Sequence, residues 1–187
     1  ISLKWHYRSK FEELITPSNR EVYGNLLTTF PQPYASKKRE GLELEKVKGL
    51  YQNNINLAEA QKVVNLIFEH FDEFGHERSL GVVTFNKRQT SLIEDELLKK
   101  RREHPEYEEF FAYDNTKEPF FIKNLENVQG DERDTMIMSV TYGPNKDGKV
   151  SMNFGPINNV GGNRRLNVAI TRAKFNLIIV SSITYED

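Results

Sequence analysis

Three short, nearly continuous apolar runs constrain this chain most: LGVVTF at 80–85, TMIMSV at 135–140 and NLIIVSS at 176–182. A strand with one wet face alternates apolar and polar residues, so runs without alternation mark strands covered on both faces. FFIKNL at 120–125 is a fourth apolar run, and GLELEKVKGLY alternates over 42–47 and also suits a strand. Helical periodicity lies between them. Leu57, Ala60, Val63, Val64, Ile67, Phe68 and Phe71 form one stripe over 57 to about 73, and NKRQTSLIEDELLKKRREH repeats the pattern with Leu92, Ile93 and Leu97. Strands of this kind interleaved with helices predict an α/β domain, a mainly parallel sheet flanked by helices. Ligands of such sheets gather at the carboxyl ends of the strands.

Residues 1–187 read as one domain, with 17–56 as an irregular extension broken by Pro17, Pro31 and Pro33. Before it, Phe11, Leu14 and Ile15 predict a short helix, with Ser9 as its N-cap and Glu12 completing a capping box. The chain starts at Ile1 without an initiator Met and reads as a fragment of a longer protein. A formal net charge of −1 supplies no global field for nucleic acid, so any basic surface must be local. Cysteine is absent, which excludes disulfides and thiolate metal sites and fits a reducing cytoplasm. No apolar run is long enough for a membrane span. The histidines at 6, 70, 76 and 104 lack metal-ligand spacing, so no metal site is expected.

The local basic surface is NRRLNVAITRAK at 163–174. Leu166, Ala169, Ile170 and Ala173 share one helical face, and Arg165 and Arg172, seven residues apart, would return to one azimuth. With Arg164 and Lys174 they gather four cations and no anion. Two readings remain open: a solvated helix paired with carboxylates elsewhere, or a helix facing phosphate, to which guanidinium forks are suited. Glu132 can pair with Arg133 or cap a turn. The aromatics at 110, 111, 113, 120 and 121 suit packing, and 99–102 a solvated helix end. A GxxxxGK[ST] phosphate loop, a DExx strand end and a GxSxG elbow are all missing from the sequence.

WHYRS, ENVQGDERD and NRRLNVAITRA, in that order, resemble motifs IV, V and VI of superfamily 1 helicases. The branch is the one holding the nonsense-mediated-decay RNA helicase, and large bacterial helicase-like proteins are closest. The resemblance covers nearly the whole chain as a second RecA-like domain, a P-loop NTPase fold without its own P-loop. It implies an ATP-dependent helicase or translocase of single-stranded DNA or RNA. ATP and Mg²⁺ would be shared with an upstream RecA-like domain that holds the phosphate loop and most of the metal contacts. By the same resemblance Tyr7 stacks on adenine, Arg8 and Arg172 reach the γ-phosphate, and Gln129 and Gly130 line the nucleotide. Glu132 would bond the ribose hydroxyls and Arg165, with Arg164, support the domain interface. TFNKRQ resembles the turn that grips a single strand, assigning Thr84, Asn86 and Gln89 to nucleic acid together with Asn127 and Val128. The alternative is a catalytically inactive helicase-fold module that only binds nucleic acid.

Overall fold

The computed structural model describes residues 8–29, 39–112 and 117–183. Five strands form one sheet: β1 (Gly41–Lys46), β2 (Leu80–Thr84), β3 (Phe121–Asn124), β4 (Arg133–Ser139) and β5 (Ala173–Ser181). Their order is β1-β5-β4-β2-β3, and every neighbouring pair is parallel. The helices are α1 (Thr16–Glu21), α2 (Leu57–Phe74), α3 (Lys87–Glu103), α4 (Glu108–Phe111) and α5 (Gly162–Ile170).

The unalternating runs are buried on both faces. Val82, Ile137, Ile178 and Val180 pack under α2 and α3 with Val63, Ile67, Ile93 and Leu97. Their strand neighbours Val83, Met136, Met138 and Leu177 point the other way, onto Leu14, Val128, Ala169 and Tyr142. The result is three layers, with α2 and α3 on one side and α5 with its lead-in on the other. Phe110 stacks on Phe71 at 4.6 Å and 7°, Phe111 and Phe120 meet edge to face at 5.4 Å, and Phe121 packs on the other face of the sheet, while Tyr113 lies outside the described residues. His70 is buried beside Phe71. Its Nε2 lies 3.0 Å from the Arg78 carbonyl, and burial, the largest cause, lowers its pKa to about 4.

Four local expectations change. The capping box at Ser9 does not form: its Oγ donates to the Ala173 carbonyl, Glu12 accepts from Thr29, and the segment is a single 3-10 turn, Glu12–Leu14. Pro17 starts α1 instead of breaking the chain, since the first helical turn needs no amide from it. The segment at 17–56 therefore contributes α1 and β1. The basic helix stops at Ile170, where the Thr171 and Arg172 amides close onto Asn167 and Ala169, so Arg172 sits in the joint before β5.

The fourth change is topological. The ENVQGDERD segment is a crossover, not a turn. β3 and β4 are parallel with β2 between them, so the eight residues from Leu125 to Glu132 run from the carboxyl edge back to the amino edge. Most parallel connections use a dozen residues or more and a helix. Here Asn124 turns the strap by accepting the amides of Glu126 and Asn127, and Val128, fully buried, anchors its middle. One sequence motif thereby serves both edges of the sheet.

Candidate nucleotide and nucleic-acid edges

At the amino edge the chain brings together three segments far apart in sequence. The Lys10 amide donates to the Lys174 carbonyl and the Arg133 amide to the Arg172 carbonyl, which fixes the N-terminal segment and the strap against the starts of β4 and β5. Across this joint Arg8 Nε donates to Glu132 Oε2 at 2.8 Å, and Lys174 Nζ lies 3.6 Å from Glu132 Oε1. Lys174 also donates to Glu118 at 2.6 Å. Arg172 is half-buried and its Nε donates to the Val168 carbonyl at 2.9 Å. Burial and then Arg8 push its pKa down, against Glu132 and Asp131, which raise it. The Arg8 and Arg172 guanidinium groups are thus close enough to act on each other, near the carboxylates of Glu132 and Asp131, and an added anion would be drawn to them.

These residues do not lie at the carboxyl ends of the strands, where ligands of parallel sheets gather. Arg8, Glu132 and Arg172 all lie where β4 and β5 begin. Tyr7 lies outside the described residues. Arg165 and Arg172 do not share a helical face, because Arg165 lies within α5 and Arg172 two residues beyond its end. Arg165 and Arg164 line a cleft of about 380 Å³ with Gln129, Glu126, Leu125 and Val168. Gly130, at φ 94°, makes the bend that lets the strap turn from this cleft toward Glu132.

The carboxyl edge is built around α3. Asn86 is its N-cap, accepting the Gln89 amide at 2.9 Å, and Thr84 Oγ1 donates to the Asn86 carbonyl at 2.8 Å. Lys87 and Arg88 are exposed on the first turn, and Asn127 is exposed on the strap. The sequence assignment of Thr84, Gln89 and Val128 needs correcting in one respect: all three are fully buried, so their side chains shape the edge from beneath. Gln89 is saturated, accepting the Asn56 amide and donating to the Asn56 carbonyl and Ser139.

Sequence reading missed the centre of this edge. Glu59, in the first turn of α2, is fully buried and accepts four donors: Ser139 Oγ and the Thr141 amide on Oε2, the Ser182 amide and Asn56 Nδ2 on Oε1. Asn56 in turn accepts the Glu59 amide as N-cap. The signal was present as NLAE, an N-cap followed three residues later by Glu. That the Glu also ties the ends of β4 and β5 was not legible.

The described residues thus form a parallel α/β sheet with two arginines near its amino edge and a capped helix start at its carboxyl edge. A family model described as an AAA domain matches residues 1–184, and the chain belongs to that family. It is 39% identical over 188 residues to the uncharacterized ATP-dependent helicase MG140 of Mycoplasma genitalium, covering 99% of this chain and 16% of that protein. The homolog from Mycoplasma pneumoniae is 39% identical over 175 residues, covering 92% of this chain and 15% of that one. The chain therefore spans about a sixth of the relatives it matches. The crystal structure of the C-terminal domain of a possible DNA helicase from Lactobacillus plantarum aligns with a TM-score of 0.49 and 12% identity, over 94% of this chain and 88% of that one. Among the described residues no helix is long and apolar enough to cross a membrane, and no group of His, Asp and Glu could hold a metal ion.

Proposed function

We propose that this chain is the second motor domain of an ATP-dependent superfamily 1 helicase or translocase. The observation that carries the reading is the convergence of Arg8, Glu132 and Arg172 from three distant segments onto the amino edge of the sheet. Arg8 pairs with Glu132, while Arg172, bonded to the Val168 carbonyl, lies within electrostatic reach of both. A phosphate chain supplied from a facing domain makes use of the two guanidinium groups, because phosphoryl transfer is mainly positioning and charge neutralisation.

In this reading Arg172 and Arg8 neutralise charge on the γ-phosphate and Glu132 takes the ribose hydroxyls after exchanging Arg8 for the nucleotide. Tyr7 stacks on the adenine, Gln129 and Gly130 line the nucleotide, and Arg165 with Arg164 supports the interface between the two domains. Mg²⁺ is held by the upstream RecA-like domain. The opposite edge, with Asn86 and the first turn of α3, grips the phosphates of a single strand of DNA or RNA, and Asn127 adds a contact from the strap. The strap at 125–132 runs from one edge to the other. The relatives named ATP-dependent helicase support the same reading.

The test is ATP hydrolysis by the full-length protein, with and without single-stranded DNA and RNA, beside Arg172→Ala. Strand-stimulated turnover that falls by a factor of roughly 10³ in the variant is expected. Turnover that survives the substitution removes Arg172 from the site. Strand binding with no turnover in the parent protein replaces the motor by an inactive binding module.

A further inference from the structure

A cleft of about 400 Å³ opens at the carboxyl edge beside the first turn of α3, lined by Tyr51, Asn54, Asn86, Lys87, Arg88 and Tyr142 among others. Its volume falls within the range of roughly 300–1,000 Å³ common to small-ligand sites. Its lining contains no carboxylate. Three other clefts each carry at least one: Glu118 and Asp134, Glu126, and Glu21. On a chain with net charge −1 this is a local surface suited to an anion.

The aromatic wall is held in place before any ligand arrives. Residues 52–55 form a two-residue hairpin with paired Gln52 and Ile55 and with Asn53 and Asn54 at φ 52° and 65°. Both central residues of such a turn need positive φ, which asparagine tolerates better than other side-chain-bearing residues. Tyr51 enters this turn with its amide on the Pro144 carbonyl at 2.9 Å and its hydroxyl on Asn54 at 2.9 Å. Behind it lies Tyr142, only 4% exposed, with ring centroids 5.1 Å apart at 52°. Phe154 and Phe85 brace Tyr142 edge-on at 5.3 and 6.3 Å. Tyr51 itself is half-buried and faces the cleft. Arg88 reaches over from α3 and donates to the Asn53 carbonyl at 3.2 Å, which holds its guanidinium near the same wall.

We propose that this cleft takes up one unstacked nucleobase of a bound single strand, with Tyr51 as the stacking platform and Lys87 and Arg88 on the flanking phosphates. Every base has a π-face, so stacking on a braced aromatic tolerates sequence, while the exposed amide of Asn54 can meet a base edge. The inference rests on the strand-gripping role proposed for this edge and adds a base contact to it.

The experiment is fluorescence anisotropy of labelled single-stranded oligonucleotides, DNA and RNA, with the full-length protein over a range of salt. Tyr51→Ala should weaken binding by about 5- to 100-fold without changing the salt slope. Tyr51→Phe, which keeps the ring, should restore it. Arg88→Ala should lower the salt slope by about 1. An abasic oligonucleotide should bind the parent protein as weakly as the base-bearing strand binds Tyr51→Ala, a comparison that does not depend on any variant folding. Equal affinity of the parent for base-bearing and abasic strands overturns the base site while leaving the phosphate grip. Failure of the parent to bind any strand overturns both.

Discussion

Replacing Glu59 by Gln tests how the carboxyl edge is held together. The substitution keeps shape and removes a buried charge, so burial alone predicts a gain: desolvation is the largest influence on this carboxyl and raises its pKa. The hydrogen bonds predict a loss. Each Glu59 oxygen accepts two donors, and an amide has only one acceptor oxygen. With that oxygen in the Oε1 position, the amide NH₂ faces the Thr141 amide and Ser139. Turned over, it faces the Ser182 amide and Asn56. Either orientation leaves one buried backbone N–H without an acceptor, at a cost of about 1–3 kcal/mol. For a domain of this size that corresponds to a fall in Tm of roughly 2–12 °C. Thermal unfolding followed by circular dichroism should be run well above the carboxylate range, where the parent group is ionised. A variant as stable as the parent, or more so, would refute the reasoning and show that the charge costs more than its four donors return.

Other substitutions separate the remaining claims. His70 is neutral in the folded chain, with its pKa lowered from 6.5 to about 4, so it contributes stability above pH 6.5 that is lost as pH falls toward 4. In His70→Gln, denaturation measured against pH should accordingly become less steep across that window. Gly162→Ala places a methyl 1.9 Å from the Ile157 carbonyl oxygen, which is backbone and cannot rotate away. It should cost about 1–3 kcal/mol in denaturant melts. Gly161→Asn next to it, at φ 83° with open space around it, should be far better tolerated.

How much of this was legible in the sequence depends on the range of the interaction that decided it. Runs such as TMIMSV and NLIIVSS announced covered strands because covering both faces removes alternation locally, whichever strands lie alongside. The stripe from Leu57 to Phe71 announced α2 for the same reason, and the three motifs carried the family. Local competition was less readable: Ser9 abandoned its capping role because the Ala173 carbonyl, 164 positions away, offered a partner. Strand direction and helix ends are set by long-range contacts, and together they decided where the chemistry falls. Because β3 and β4 run in the same direction, the ENVQGDERD segment had to cross the sheet, leaving Asn127 at one edge and Glu132 at the other. Because α5 ends at Ile170, Arg172 left the helical face it would have shared with Arg165 and came within electrostatic reach of Arg8 and Glu132. The sequence by itself determined which segments fold and which family they form. Only the tertiary structure decided which charges meet, since a guanidinium finds its carboxylate through space and not along the chain.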